Sequence, residues 1–426
     1  ELSIVFSERY ADYHMNPTIQ VKLNSFSLLA SPTVSSSEFE LAIKREANPD
    51  GVHPLFTSAT LKLLLENTLN DDKLPDEGSD FIYTFDETEV PPKTPAEISR
   101  EDSTHIRILA YNTKNDGLND NSRLPHFENI VTALNPDIIG FSECYNTNHS
   151  HVKMLLDSWL PLDDPWGWYI RTGANGDLIT ASRWSIISGW DNLPRQFPTL
   201  IDLPEDYPTD LLFTNAHLKC CDGDDQRQDQ VDAYTAFILD AKSAGGNISL
   251  PEGTPFVYGG DLNLVGYARQ LETLLTGNIQ NTSTYGPGGP PDWDDSPVSD
   301  AMGLHSDQRL DYTWRNDYSY YIPGKLDFLI YSDAVLNLEN SFVLHTEEMP
   351  ADRLQLYGLN RDATRSASDH FPVVADFSLK TVSGIAIPAK GQHVIYPNPA
   401  INHIKISFGR SGSYQVRISD LRGSLV

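Results

Sequence analysis

The chain has few cysteines, few basic residues and no long apolar run, and each shortage excludes a class of protein. Three cysteines in 426 residues are too few and wrongly spaced for a zinc ribbon or a small disulfide-stapled domain. No apolar run approaches the ~20 residues that a membrane span requires, so we expect no stable membrane insertion. Lysine and arginine number 31 against 59 aspartate and glutamate residues, a formal net charge of -28. This charge disfavours long-range attraction to nucleic acid, although bound divalent cations can supply positive charge locally for a phosphate substrate.

The cysteines are Cys144, Cys220 and Cys221, and their odd number leaves at least one thiol free or paired outside the chain. Side-chain alternation allows a bridge between Cys144 and Cys220 if their strands are neighbours. Simple buried thiols are the alternative.

The composition is that of a soluble globular protein, with 39% hydrophobic and 21% charged residues, and the length suffices for two or three domains. Residues 1 to 98 hold strand-length runs between Pro, Asp, Ser and Gly clusters, which predict an all-β module and a linker. One run, "ATLKLLLENTL", also fits a short helix. From 104 to 380, strand and helix patterns interleave, which predicts a mixed α/β domain built on sheets. We expect a monomer.

The stretch "FVYGGDLNLVG" places two polar side chains directly after a predicted buried strand. Asp261 and Asn263 are one residue apart, so in extended backbone both face the same way, towards one pocket at the strand end. The same residues also fit a turn, because Gly, Asp and Asn all favour turns. Other predicted strands end in similar residues, namely Asn112, Glu143, His217, Asp327, and Asp369 with His370. Turn formation alone does not readily explain polar residues at so many strand ends.

These residue types indicate metal-assisted hydrolysis. Asn112, Glu143 and Asp369 are oxygen donors, which suit Mg²⁺ or Mn²⁺, with Ca²⁺ as an alternative, rather than structural zinc. His217 and His370 are candidate acid, base or phosphate-binding groups. Because the chain has no Ser or Cys nucleophile motif, direct attack by water is the economical mechanism.

The ordered motifs "YNTKNDG", "DIIGFSE", "NAHLK", "GGDLN", "YTW", "KLDFLIYSD" and "SDHFPVVADF" have the order and spacing of one known group. Over residues 104 to 380 the chain resembles the endonuclease/exonuclease/phosphatase superfamily, which includes pancreatic-type deoxyribonucleases, exonuclease III-like enzymes and bacterial sphingomyelinases. The resemblance implies an α/β fold, a four-layer sandwich of two mixed β-sheets flanked by helices, with the site at one end.

The resemblance also implies roles for the strand-end residues around a metal. Asn112 and Glu143 match the metal-binding pair of the family, and Asp369 matches a further ligand. Asp261 matches the carboxylate that positions or deprotonates the attacking water.

The remaining matched residues are implied to act on the phosphate. Asn263 and His217 match groups that hold the scissile phosphate. Asp327 and His370 match the paired Asp and His that orient and polarise it. Arg183, in "TASRWSI", stands where relatives have a basic residue after a strand and is a candidate phosphate contact.

Two departures from the family pattern concern specificity. Ser142 stands where the family often has Gln before the metal-binding Glu, which alters hydrogen bonding around the metal. Lys325 retains the basic residue before the paired Asp, but Leu326 replaces the aromatic residue of exonuclease III-like enzymes. This replacement puts abasic-site specificity in doubt.

The last segment, "YPNPAINHIKISFGRSGSYQVRISDLRGSLV", resembles the tail that directs secretion through the type IX system of Bacteroidetes. We interpret residues 391 to 426 as a partial tail of this kind, which predicts handling by the type IX machinery and a secreted or cell-surface protein. A small β-appendage without a sorting role is the alternative.

Three functions remain open. The leading one is a secreted, metal-dependent phosphodiester hydrolase that acts as an extracellular nuclease on DNA or RNA. The second is a sphingomyelinase, phospholipase C-like or other small phosphoester hydrolase, for which "NDYSYYIPG" would be an aromatic loop at a lipid surface. The third is a non-catalytic binding protein on the same fold, which the presence of all matched positions disfavours.

Overall fold

The computed structural model describes the chain almost continuously from residue 91 to 380 and in short pieces elsewhere. The described ranges are 2–6, 11–15, 19–20, 29–30, 41–43, 45–48, 52–67, 70–86, 88, 91–174, 177–265, 269–319, 321, 323–380, 394–396 and 405–407. Within these ranges, no helix is both long enough and apolar enough to cross a bilayer.

The first ninety residues contribute only strands to the described part of the chain. They are Leu2–Phe6, Ala11–Met15, Ile19–Gln20, Leu29–Ala30, Leu41–Ala42, Thr60–Leu63, Leu65–Glu66, Lys73–Leu74 and Phe81–Thr84. The run "ATLKLLLENTL" therefore forms strands where it is described, and the short-helix alternative is wrong there. Much of the predicted runs "TIQVKLNSFSLL" and "EFELAIKRE" lies outside the described residues.

The larger domain is built from strands and helices that alternate along the chain. The strands are β1 (Ile106–Asn112), β2 (Ile138–Ser142), β3 (Tyr169–Thr172), β4 (Ile179–Ser182), β5 (Ile186–Gly189), β6 (Gln196–Ile201), β7 (Leu211–His217), β8 (Phe256–Asp261), β9 (Ser299–Asp300), β10 (Leu304–His305), β11 (Asp327–Tyr331), β12 (Leu336–Val343) and β13 (Val373–Leu379). The helices are α1 (Leu124–Leu134), α2 (His149–Trp159), α3 (Asp224–Lys242), α4 (Arg269–Thr276), α5 (Thr282–Tyr285), α6 (Ala351–Tyr357) and α7 (Ala363–Ala367), with 3-10 turns at Gly117–Asn119 and Thr346–Glu348.

Two mixed sheets form the centre of this domain. One has seven strands in the order β3-β4-β2-β1-β13-β12-β10, and the other has six in the order β5-β6-β7-β8-β11-β9. The pairs β1 with β2, β7 with β8 and β10 with β12 are parallel, and the other pairs are antiparallel.

The sheets pack face to face, and helices cover their outer faces. Ile108 of β1 and Phe213 of β7 belong to one buried cluster, which lies between the two sheets. Leu109, the next residue along β1, belongs instead to a cluster with Phe127 of α1. Leu212 of β7 packs with residues of α3 and α4 on the far side of the other sheet. The layers are therefore helix, sheet, sheet and helix, and the predicted four-layer sandwich is confirmed.

Burial on both faces explains why β1 reads as a continuous apolar run. All seven residues of "IRILAYN" are buried. Successive side chains point to opposite faces of a strand, so a strand covered on both faces needs apolar residues at nearly every position. The polar exceptions are Arg107, near the start of β1, and Asn112, its last residue.

The cysteines do not form the bridge between Cys144 and Cys220 that alternation allowed. All three thiols are free: Cys144 is buried, Cys220 is half-buried and Cys221 is exposed. Burial raises the pKa of Cys144 to about 12. The expectation of simple buried thiols thus holds for Cys144 alone.

A buried ion pair joins the start of β1 to β13. Arg107 donates from Nε and Nη2 to the two carboxylate oxygens of Asp376, at 2.6 Å each. Its Nη1 donates to the carbonyl oxygens of Ile98 and Leu134, at 2.6 and 2.8 Å. One guanidinium thus ties β13, α1 and the segment before β1 together, and part of the predicted linker is held against the domain.

We expect Asp376→Asn to lower the free energy of unfolding by about 3–5 kcal/mol, because removal of one partner leaves the other charge buried and uncompensated. Urea unfolding followed by tryptophan fluorescence would measure the loss. Asp225→Asn is the control, since the fully exposed Asp225 lies 3.9 Å from the half-exposed Arg269 and the loss of such a surface pair should shift nothing measurable. Equal midpoints for the two variants would contradict the role given to the Arg107 pair.

Candidate active site

The strand registers bring the predicted polar residues together at one end of the sandwich, where the strands begin or terminate. His217, the last residue of β7, is the register partner of Asp261, the last residue of β8. Asp261 is in turn the partner of Asp327, the first residue of the antiparallel β11. In the facing sheet, Asn112 is the partner of Ser142, and Glu143 follows directly. Residues distant in sequence therefore meet because these strand termini lie at the same end of the sandwich.

Asp261 lies at the centre of the site and is almost fully buried. Its Oδ2 accepts a hydrogen bond from Asn112 Nδ2 at 2.9 Å. The same oxygen lies 3.7 Å from His217 Nε2 and 3.6 Å from His370 Nε2, which is longer than a hydrogen bond in both cases. Burial raises the pKa of Asp261, and His370 opposes this rise most strongly.

The predicted pairing of Asp327 with His370 is present in the structure. His370 Nδ1 lies 2.8 Å from Asp327 Oδ2, and a carboxylate can only accept, so Nδ1 carries the hydrogen. Thr313 Oγ1 accepts from the backbone N–H of Asp327 at 2.8 Å and fixes the start of β11. Burial lowers the pKa of His370, but Asp327 and Asp261 outweigh it and raise this pKa from 6.5 to about 10. The ring is therefore charged at neutral pH.

A second imidazole is held in the same way by a residue that the sequence reasoning missed. His217 Nδ1 lies 2.7 Å from Asp177 Oδ2, and both side chains are buried. Arg195 donates from Nε to the carbonyl oxygen of His217 at 2.5 Å. Asp177 stands just before β4 in "GANGDLIT", which reads as a turn, so no local signal distinguishes it. Its part in the site depends on the pairing of strands distant in sequence.

Glu143 is positioned by backbone geometry as well as by hydrogen bonds. Its φ of 57° lies in the left-handed region, which is uncommon for a residue other than Gly, Asn or Asp and recurs at functional sites. Oε2 accepts from the backbone N–H of Asn115 at 2.7 Å, and Oε1 accepts from Asn112 Nδ2 at 3.1 Å. The carboxylate is thus turned towards the strand ends.

The donor set beside Glu143 fits a divalent cation. Glu143, His217 and Asp261 each offer a ligand atom, and these atoms lie within 4.8 Å of one another. Asn112 turns its amide nitrogen to the carboxylates, while its oxygen accepts from the backbone N–H of Lys114 at 2.8 Å. Asp369 Oδ2 lies 3.3 Å from Lys114 Nζ. The cluster therefore differs from the predicted set, and ligation by Asn112 and Asp369 stays a prediction.

Asn263 also reaches the site, with a φ of 50°. Its backbone N–H donates to Asp261 Oδ1 at 2.9 Å, and its side chain donates to the carbonyl oxygen of Leu218 at 3.2 Å. The sequence suggested two alternatives for this segment, a turn or a pair of side chains facing one pocket. Both are present, because the segment is a turn that also places the Asn263 side chain at the site. Asn263 lines a pocket of about 190 Å³ together with Glu143, His217, Asp261, Asp369 and His370.

Arg183 is a correction to the predicted site. It follows β4, whose last residue Ser182 is the register partner of Ile138, the first residue of β2. Glu143 lies past the other end of β2. Arg183 Nε donates to the carbonyl oxygen of Pro136 at 2.8 Å. The side chain therefore lies at the opposite end of the strands from the pocket and cannot contact a phosphate there.

Comparisons with known proteins identify the C-terminal segment. A family model described as the secretion system C-terminal sorting domain matches residues 394 to 426. This sorting domain indicates type IX secretion to the cell surface or the extracellular space, so the predicted localisation is confirmed. A comparison with curated proteins found no match.

Solved structures similar to the chain include members of the group that the motifs resemble. An endonuclease/exonuclease/phosphatase from Bacteroides vulgatus has 16% identity and a TM-score of 0.43 over 65% of this chain and 100% of that one. A mannosyl-6-phosphatase from Bacteroides thetaiotaomicron has 16% identity and a TM-score of 0.40 over 64% and 99%. ANGEL2, a 2′,3′-cyclic phosphatase, has 17% identity and a TM-score of 0.43 over 65% and 96%. At these TM-scores the likeness is not evidence of function, and the strand order and registers given above define the fold.

The raised pKa of His370 predicts a pH dependence of stability. A pKa raised from 6.5 to about 10 stabilises the fold fully below pH 6.5, and this contribution is lost as the pH rises towards 10. We expect the difference in unfolding free energy between the wild type and His370→Gln, measured with urea in EDTA, to shrink over that window. A difference that stays constant from pH 6 to about 10 would contradict the charged ring.

Proposed function

We propose that the chain is a secreted, divalent-metal-dependent phosphodiester hydrolase, with extracellular DNA or RNA as its substrate. The observation that carries the proposal is the pair of carboxylate-held imidazoles, His217 with Asp177 and His370 with Asp327, on either side of buried Asp261. Two fixed imidazoles and a central carboxylate beside a cluster of metal-ligand atoms suit attack of water on a phosphate.

In this proposal Asp261 positions the attacking water and acts as its general base. Burial raises its pKa, which makes it a stronger base than an exposed aspartate. Asn112 Nδ2 and the backbone N–H of Asn263 hold its two oxygens in place. Asp261 thus orients a water molecule for in-line attack and accepts its proton.

In the same proposal the two imidazoles bind the phosphate and stabilise its charge. His370 donates from Nδ1 to Asp327, while His217 Nδ1 lies beside both Asp177 and the guanidinium group of Arg195. In both rings Nε2 is directed towards Asp261. The charged His370 ring stabilises the negative charge that develops on the phosphoryl oxygens. His217, and Asn263 at the rim, hold the non-reacting oxygens, as the family resemblance implies.

Glu143 would hold the metal, with Asp261 and His217 at its margin and Asn112 and Asp369 as further candidates. A bound Mg²⁺ or Mn²⁺ would neutralise phosphate charge and polarise a phosphoryl oxygen. Such a cation would also offset the carboxylates of Glu143, Asp261 and Asp369, which share the pocket.

A phospholipid or sphingolipid phosphodiester is the second candidate, and one observation favours it. Tyr318 is 73% exposed, and Tyr321 of the same loop lines the pocket. Aromatic side chains at a pocket mouth suit insertion into a lipid surface, but they also suit stacking on bases. Purified protein assayed against plasmid DNA, RNA, sphingomyelin and an aryl phosphodiester, with Asp261→Asn as the blank, distinguishes them. Cleavage of sphingomyelin alone would replace the nuclease proposal.

We expect the activity to depend on a divalent cation held by Glu143. EDTA should abolish turnover, Mg²⁺ or Mn²⁺ should restore it, and Glu143→Gln should need a much higher cation concentration because it loses one anionic ligand. Turnover at a series of Mg²⁺ concentrations measures this. Full activity after exhaustive chelation would refute the metal dependence.

We expect Asp327→Asn to lower kcat by on the order of 10² to 10³ while the protein stays folded, because His370 loses the partner that keeps it charged. Steady-state kinetics with saturating Mg²⁺ would measure the loss. The exposed Asp163→Asn is the matched control and should leave kcat unchanged. An unchanged kcat in well-folded Asp327→Asn would show that the pair serves stability alone.

A further inference from the structure

A cluster of two histidines and a glutamate lies apart from the residues that line the active-site pocket. His305 ends β10 at the edge of the seven-stranded sheet, His345 follows β12, and Glu348 closes the adjacent 3-10 turn. His305 and His345 are buried, with 0% and 6% exposure. We propose that these three residues form a second metal site, which binds Zn²⁺ or a similar first-row divalent cation.

The first support is the convergence of three ligand atoms. Nδ1 of His305 lies 2.9 Å from Glu348 Oε2, and Nδ1 of His345 lies 3.1 Å from the same oxygen. Each of the three residues offers one ligand atom, and these atoms lie within 4.8 Å of one another. Zinc bonds of ~2.0–2.1 Å at tetrahedral angles place ligand atoms about 3.3–3.4 Å apart. The two histidine-to-glutamate distances are therefore within a few tenths of an ångström of zinc geometry.

The second support is the tautomer of His305. Its Nε2 lies 2.7 Å from the carbonyl oxygen of Tyr312, which can only accept, so Nε2 carries the hydrogen. In the neutral ring, Nδ1 is then a lone pair that faces a carboxylate oxygen. A histidine whose other nitrogen donates to a backbone carbonyl is the usual arrangement of a metal ligand.

The third support is the contact of His345 with the same carboxylate. His345 Nδ1 is buried and lies 3.1 Å from Glu348 Oε2, but the pair does not meet hydrogen-bond geometry. A buried polar nitrogen normally has a well-aligned partner. A cation shared by the two rings and the carboxylate would satisfy this nitrogen and His305 Nδ1 together.

The donor set indicates which cation this would be. Two imidazoles and one carboxylate, with water in the fourth position, are a ligand set of zinc sites, whereas Mg²⁺ and Ca²⁺ prefer oxygen ligands. The two sites of the chain would thus select different metals.

The position of the cluster suggests a structural role. The ring centroids of His305 and Tyr312 are 4.3 Å apart, and those of His345 and Phe371 are 4.4 Å apart. Phe371 follows His370, and its backbone N–H donates to the carbonyl oxygen of Thr313 at 2.7 Å. A cation here would brace the segment that presents His370 from the side away from the pocket.

The test uses the full chain with Glu143→Gln, Cys220→Ser and Cys221→Ser, which remove the competing active-site ligand and the accessible thiols. After EDTA treatment and titration with Zn²⁺ in excess Mg²⁺, we expect one zinc per chain by elemental analysis and a higher Tm. Co²⁺ in place of Zn²⁺ should give the intense visible bands of a tetrahedral site. His345→Gln or Glu348→Gln added to this background should weaken zinc binding by at least the ~10–100-fold typical of losing an outer-shell partner.

Asp352→Asn is the matched control, since this carboxylate lies four residues after Glu348, at the start of α6, and is exposed to solvent. It should retain the zinc. Absence of bound zinc in the background protein would overturn the proposal without any variant of the cluster having to fold. So would an unchanged affinity in His345→Gln, or an equal loss in Asp352→Asn and Glu348→Gln.

Discussion

The register of β8 between β7 and β11 is the constraint on which the site depends. It sets Asp261 beside His217 in one direction and beside Asp327 in the other. A shift by one residue would turn Asp261 to the opposite face of the strand. The apolar residues on both faces of these strands fix the register, because each face is buried against another layer. The hydrophobic core thus determines the geometry of the polar site.

Burial of several carboxylates at this edge is possible because almost every one has a donor close by. Asp177 and Asp327 each lie within hydrogen-bond distance of an imidazole nitrogen, and Asp261 accepts from an amide side chain and a backbone N–H. A buried carboxylate without such partners would take up a proton instead. The cost of desolvation is therefore offset locally, and the contact with Asp327 keeps a hydrogen on Nδ1 of His370. The groups that stabilise the site also orient it.

The acidity of the chain fits a site whose positive charge is local. The formal net charge is -28, yet the pocket contains a charged imidazole and the ammonium group of Lys114. A protein sorted to the cell surface or beyond gains solubility from such a surface. Under the proposed function, contact with an anionic substrate would depend on short-range donors and bound cations rather than on a long-range field.

The sequence by itself determined the elements and the polar residues at their ends. Runs such as "IRILAYN" and "FVYGGD" predicted β1 and β8, because strands buried on both faces must be apolar nearly throughout. Ordered motifs indicated Asp261, His217, Asp327 and His370. Strands β3, β6 and β10 were among those not predicted. β3 and β10 are short or half-exposed and carry no period strong enough to detect, whereas β6 is buried throughout. Only the tertiary structure showed that Asp177 holds His217, that Arg183 lies at the far edge, and that His305 meets His345. Each of these facts depends on which strands become neighbours, and that choice is made by packing between segments distant in sequence.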